Sequence, residues 1–489
     1  MSLWGFAFAL SAAAQAGSVD VYGFGAESIG RGVGGVAVPD GAKTVFRNPA
    51  LLQSLEWAEA SIGYGVYRGA FPKSPPVHWD TNRDGYVDQF DGGLQLPAEA
   101  PRSDGVSVTI GRNIGSKVGI ALNAFFPTDQ ILRLRTTEPD LPSWVMYGNR
   151  TQRVELGLGL GAEIYKGLSL GVGTELIAKA RYRIYGTLDI AVGGAEDGDE
   201  TPEDLIDHVR VDVHEMTLDL VPRFIPVAGF HWDVGELLPP LKGLDLGVAW
   251  RGSSGIPVGA DIDLQLNGAL QDLGDLEPMN IALVMPVELS IYDHYVPERW
   301  SFGAAYQAED WPLFYVDVHH TQWSKMRVNV AHVTESAIRS QIFQVEEDLI
   351  DDANQYSSSF RDTMSVHTGT EIGLPRIETN GKAGVISPVV RLGFAYTPSP
   401  LESQSDGTSF LDADRLLFSG GLGLEHRDPW GLVPGPVAWD FFYTRHQLAS
   451  GELRPVAEPV LTAGAPVNGE AIPIGGYLWS MGMQFSVSF

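Results

Sequence analysis

The chain has 489 residues, no cysteine and a formal charge of −28, from 61 acidic against 33 basic residues. That balance argues against nucleic acid as a partner, and the missing thiols exclude disulfides and thiolate metal sites. No apolar run reaches the ~18 residues that a membrane-spanning helix needs, so the chain can cross a bilayer only as a closed barrel of strands.

Residues 1–16 read MSLWGFAFALSAAAQA, an apolar stretch ending in Ala-Gln-Ala. This fits a secretory signal peptide, although no Lys or Arg precedes the apolar core. Residues 17–55 are rich in Gly and Ala, with turn signals at Pro39-Asp40-Gly41 and Asn48-Pro49. They do not alternate like a strand. They precede the first strand-like stretch, 57–71, and the only evident place for them to pack is a barrel lumen. Taken locally, Asn48-Pro49 is also compatible with an ordinary turn.

Residues 80–91 read DTNRDGYVDQFD. Asp80, Asn82, Asp84, Asp88 and Asp91 take positions 1, 3, 5, 9 and 12 of an EF-hand-type loop. Tyr86 offers a carbonyl from position 7, and Gly85 makes the sharp turn. Asp91 stands where Glu is usual, which shortens bidentate closure. Pro75-Pro76 precedes the loop, so the flanking helix of an EF-hand is missing. The spacing predicts a Ca²⁺ site in the first outer loop, with an unliganded acidic turn as the alternative. No other cofactor is called for.

Further on, alternation dominates. Leu156, Leu158 and Leu160 share one face, and Glu155, Gly157, Gly159 and Gly161 the other. After a tight turn at Lys166-Gly167, Leu168, Leu170 and Val172 oppose Gly171, Gly173, Glu175, Arg181 and Arg183. The same division recurs in 244–251, 390–396, 415–425 and 439–444. Charges repeatedly placed on the inner face imply a polar lumen, since a soluble core would not bear them. The lumen arginines Arg181, Arg183, Arg391 and Arg415 could meet a ligand carboxylate or pair with Glu155, Glu163 and Glu425. Inner-face glycines leave room or mark kinks. Short connections at 115–116, 166–167 and 308–311 contrast with long polar segments at 72–103, 128–150, 190–208, 266–279 and 326–380. That is the asymmetry of an outer-membrane barrel.

Three apolar features fall in the long segments. Trp144, Val145 and Met146 lie in an apolar patch at 141–147. Ile338, Ile342, Val345 and Leu349 fall at helical spacing beside an acidic run. Thr201-Pro202 opens a second short helix. These loops could dock an apolar ligand or simply pack on one another. The final stretch, 477–489, alternates without a break: Tyr477, Trp479, Met481, Met483, Phe485, Val487 and Phe489 against Ser480, Gly482, Gln484, Ser486 and Ser488. Lipid outside and water inside demand that division.

Several patches resemble one family. They are the Gly-rich run from Gly30 into Asn48-Pro49-Ala50, the segment from Pro297 to Gln307 with Asp317 and Trp323-Ser324 after it, and Pro398-Ser399-Pro400 with Asp412 to Arg415. The chain is similar to the FadL/TodX outer-membrane transporters of long-chain fatty acids and hydrocarbons. Leu51-Leu52 stands where that family commonly has Gly-Leu. The resemblance implies an all-β, antiparallel transmembrane barrel of about 14 strands, residues 56–489. Residues 17–55 would be a hatch plugging its lumen, and outer loops would carry short helices. It implies passive, ligand-gated uptake, a gating role for Asn48, Pro49 and Ala50, and lateral exit between strands. It further implies a Gram-negative outer membrane with its lipid and lipopolysaccharide, and an aromatic C-terminus, Phe489, read by the barrel assembly machinery. The alternatives are a non-selective porin and a structural barrel without transport. An enzyme is not expected: His319 and His320 point to opposite faces beside Asp317, and no serine sits in a nucleophile elbow.

Overall fold

The computed structural model describes residues 25–75, 77–78, 93–94, 102–115, 117–128, 143–147, 154–192, 206–270, 279–309, 311–326, 332–336, 339–340, 360–378, 384–401, 410–427, 435–453, 465–466 and 471–489. Fourteen strands close a ring. They are β1 Glu59–Ala70, β2 Arg102–Ile114, β3 Val118–Pro127, β4 Glu155–Tyr165, β5 Leu168–Val192, β6 Ile206–Asp233 and β7 Leu244–Arg251. The circuit continues with β8 Arg299–Tyr306, β9 Leu313–Thr321, β10 Thr363–Gly373, β11 Val385–Thr397, β12 Arg415–Arg427, β13 Val437–Leu453 and β14 Ile472–Ser488. Each strand pairs antiparallel with the next, as in Glu155↔Ile177 between β4 and β5. The circuit ends where β14 meets β1, from Glu59↔Ser488 to Ala70↔Tyr477. Closure removes the unpaired edges that lipid cannot satisfy.

The alternation read from the sequence is the alternation of the wall. Ile62, Leu158, Phe302, Phe418, Phe441 and Met481 are exposed on the outside, while Glu155, Asp317, Asp440, Ser480 and Gln484 are buried inside. A water-soluble protein would not leave such an apolar band uncovered.

The two ends differ as expected. β2–β3, β4–β5, β6–β7, β8–β9, β10–β11 and β12–β13 are joined by short connections on one side. The Lys166-Gly167 turn carries positive φ at both residues, 37° and 77°, as a two-residue hairpin requires. Ala58 and Phe489 exchange backbone hydrogen bonds of 3.1 and 2.8 Å at this same end. The longer connections lie at the other.

Three expectations for those connections change. The segment 326–380 contains a full wall strand, β10. β5 and β6 run 25 and 28 residues, far beyond the ~10 needed to cross, and a strand from the β7–β8 connection, Ser254–Leu270, pairs in parallel with the outer half of β5. It also pairs antiparallel with Met279–Val296, so the described parts of this connection are largely strand. Finally, Arg339–Ser340 pairs with Leu283 and Val284. These two residues of the stretch expected to be helical are therefore strand. Ile338, Ile342, Val345 and Leu349 themselves lie outside the described residues, as do residues 1–16 and 80–91. The short helices among the described residues lie in 25–55 and in the β6–β7 turn, not in the outer loops.

Candidate functional site: the occupied lumen

Residues 25–55 form a short helix, Ala26–Gly30, and two 3-10 turns, Gly41–Phe46 and Pro49–Ser54. Their backbone presses on glycines from opposite walls. A Cβ at Gly171 of β5 would lie 2.2 Å from Ala50 N, one at Gly229 of β6 2.0 Å from Asn48 Oδ1, and one at Gly393 of β11 2.1 Å from Arg31 C. One segment can touch β5, β6 and β11 in this way only from inside the ring. The inner-face glycines thus mark close backbone approach rather than empty space.

Asn48, Pro49 and Ala50 are fully buried. The Asn48 amide donates to Val36 O at 2.8 Å and to Phe230 O of β6 at 2.9 Å, and its Oδ1 accepts from Ala50 N at 3.1 Å. Asn48 therefore caps the turn that Pro49 begins and stitches it to the wall.

On the opposite side the contact is ionic. Arg31 pairs with Asp40 and, at 2.6 Å, with Glu371 of β10. Glu371 is shared with Arg391 of β11 at 2.6 Å, and Arg391 reaches Asp440 of β13 at 2.5 Å. Lys43 bridges Glu27 at 2.7 Å and Glu59 of β1 at 3.0 Å. Arg47 meets Asp40 at 2.7 Å. Burial opposes the Asp40 charge, but Arg31 and then Arg47 outweigh it and hold the carboxyl down at about 2.

Arg391 thus pairs with Glu371 and Asp440 rather than with the acids the sequence suggested. Glu163 pairs with Lys117 at 3.1 Å and Glu425 with Arg427 at 2.6 Å. Arg415 lies over the Tyr147 ring at 5.6 Å. The side chains of Arg181 and Arg183 are outside the described set. His319 faces the lumen, its Nδ1 2.8 Å from Ser301 Oγ. Asp317 is committed elsewhere, accepting from Gly35 N at 2.5 Å and Val36 N at 3.2 Å. No charge-relay arrangement results.

Beside these polar groups runs an apolar column. At the outer end Phe71 stacks on Trp144, centroids 4.1 Å apart, with Tyr147 at 5.2 Å from Phe71. Burial pushes the Tyr147 hydroxyl well above its ordinary pKa, so it stays a donor, to Asp412 at 3.0 Å. Val145 and Met146 pack with this group, so all three residues of the sequence-predicted patch meet at the lumen mouth. The cluster continues through Tyr67, Phe125, Leu417, Phe442 and Leu478 of the wall to Ile29, Val33 and Phe46 of the inner segment. Phe442 was legible as an inner-face residue, but neither it nor Tyr67 was singled out as part of an apolar path. Their signal is the small residue on either side: Tyr67 lies in register between Ser103 and Ser480, and Phe442 between Gly421 and Gly482.

Residues 7–429 match the family described as Outer membrane protein transport protein (OMPP1/FadL/TodX). The chain belongs to this family. It is therefore a transport barrel of the Gram-negative outer membrane and not an enzyme. Among solved structures, a Pseudomonas aeruginosa FadL homologue is 14% identical over 98% of this chain and 99% of its own, with a TM-score of 0.51. The toluene transporter TbuX of Ralstonia pickettii is 11% identical, covering 96% and 100%, TM-score 0.45. The P. putida toluene transporter TodX is 12% identical, covering 96% and 99%, TM-score 0.45. At these identities the first likeness bears on fold alone. No curated relative matches the chain.

Proposed function

We propose that this FadL/TodX member is a passive route for hydrophobic small molecules, hydrocarbons or long-chain fatty acids, and that residues 17–55 act as its hatch. The observation that carries this reading is the apolar column, continuous from Phe71, Trp144 and Tyr147 at the outer mouth to Ile29 and Val33 of the inner segment. An apolar solute gains nothing in a water-filled pore but gains by moving along such a column. Trp144, Val145 and Met146 serve as the docking patch. Asn48, Pro49 and Ala50 hold the hatch in register. Outer-leaflet lipid and lipopolysaccharide surround the barrel, and its assembly machinery engages Phe489.

The test is uptake of radiolabelled dodecane and toluene into vesicles carrying the full chain. Removing both stacked rings, Phe71→Ala with Trp144→Ala, should lower uptake about tenfold, the scale of one lost aromatic contact with its buried area. A large steady conductance in planar bilayers would instead favour a non-selective porin.

We also propose a Ca²⁺ site at Asp80, Asn82, Asp84, Tyr86, Asp88 and Asp91. Its support is the ligand spacing and a paired stem on either side, Val77↔Leu94 and His78↔Gly93. Calorimetry should give a Ca²⁺ heat that Asp84→Ala abolishes; no heat in the parent chain rejects the site.

A further inference from the structure

We propose that the turn Gly32–Gly35 is a strained latch, the part of the inner segment that moves first when an apolar molecule fills the column. This rests on reading residues 25–55 as a hatch.

Backbone conformation points to the turn. Gly32 and Gly35 have φ of 103° and 107°, and between them Val33 has φ of 61°. A β-branched residue is strained in the left-handed region, where its side chain crowds the backbone. Among the described residues the other non-glycine at positive φ is Lys166, in an exposed hairpin turn whose shape requires it. Val33 has no such excuse. Strain persists where surrounding contacts over-determine it, and here the wall supplies them. Asp317 accepts from the Gly35 and Val36 amides, His367 Nδ1 donates to Gly32 O at 2.8 Å, and the Tyr315 hydroxyl donates to Arg31 O at 2.5 Å. Within the segment, Ser28 Oγ donates to Gly34 O at 2.9 Å.

Position supplies the trigger. Val33 belongs to the apolar column, so a molecule descending the column meets it. A small crevice lined by Val33, Gly34, Val36, Arg299, Ser301 and His319 lies beside the turn. Asn48 carries no such strain: its φ of −157° is extended, and its side chain caps the turn that Pro49 begins. Asn48-Pro49-Ala50 is then the fixed anchor, and Gly32–Gly35 the moving part.

Amide hydrogen exchange on the full chain in nanodiscs tests this. Val33→Gly removes the left-handed strain. Set against Val33→Ala, which removes the same side chain from the column but keeps the left-handed strain, exchange across 32–36 should be about fivefold slower. Asp317→Asn replaces the carboxyl acceptor of the clasp with a weaker amide oxygen and should speed the same amides about tenfold. Added dodecane should raise exchange at 32–36 before 48–52, with the β9 and β10 amides still protected. Exchange in Val33→Gly no slower than in Val33→Ala, or probe-driven exchange that begins at 48–52, overturns the latch. A barrel that takes up no probe yet shows the Val33→Gly slowing keeps the latch and discards the transport reading. Uptake with an unchanged exchange pattern does the reverse.

Discussion

The inner segment meets the barrel in two unlike ways. Toward β3–β6 the contact is shape: Asn48 to Leu52 lie flat on Gly119, Gly161, Gly171 and Gly229, with almost no charge. Toward β1 and β10–β13 charge is added to glycine contacts such as Gly393 against Arg31: Arg31, Asp40 and Lys43 interlock with Glu59, Glu371, Arg391 and Asp440. A shape contact resists displacement at any pH but tolerates no added atom. A buried ionic contact tolerates small shifts but fails when one partner is lost, because the survivor is left charged in a poor solvent. A plug that must stay and also move is served by one wall of each kind.

Breaking the ionic wall should have the largest effect. Arg391→Met keeps the side-chain length but removes the guanidinium that sits 2.5 Å from Asp440 and 2.6 Å from Glu371. Stranding a buried charge costs about 3–5 kcal/mol. Residues 25–55 should become open to protease while the barrel keeps its heat-modifiable mobility on gels. Protection equal to the parent chain would mean the network carries little of the anchoring. Next comes the shape wall. Gly171→Ala sets a methyl 2.2 Å from Ala50 N and 2.3 Å from Pro49 C, and overpacking of this kind costs about 1–3 kcal/mol. The segment should lift from β5, read as a rise in bilayer conductance that Gly373→Ala, with nothing within 4 Å, does not produce.

Acid separates the walls without mutation. Asp40 is held at about 2 in the fold against an ordinary 3.8. A depressed carboxyl contributes stability that is full above its unfolded pKa and lost as pH falls through the folded one. The window is therefore pH ~4 down to ~2, and the contribution is of order 2 kcal/mol. Exchange at 40–47 should accelerate across that window, with that at 49–52 lagging behind. Simultaneous loss would show that the two walls act as one.

How much of this was legible beforehand follows from what each feature depends on. The wall was legible because lipid and lumen impose a local period of two: the 477–489 stretch needs no partner to declare its faces. Lys166-Gly167 was legible because a two-residue hairpin has its own chemistry. The lumen was not. Gly171 could only be read as room or a kink, since what fills it, Pro49 and Ala50, lies over a hundred positions earlier. Arg391 was visible as an inward charge, but its partners depend on strand register. At Arg339–Ser340 the pairing with Leu283 and Val284 was out of reach, because a short window says nothing of a distant strand edge.

The smallest effect asks whether charge alone holds the ionic wall. Ser419 of β12 donates its hydroxyl to Gly30 O at 3.0 Å, a neutral bond set among ion pairs. Ser419→Ala leaves every charge in place and strands one carbonyl, a cost of about 1 kcal/mol. The carbonyl belongs to the last residue of the short helix, directly before Arg31. If hydrogen bonds position the guanidinium, exchange should rise at 29–31 and spread to Asp40, Arg31's partner across the segment. If the ion pairs position themselves, the rise should stop at Gly30. Local exchange rates distinguish the two outcomes, and the second would make the charged network self-aligning, able to re-form after each displacement of the plug.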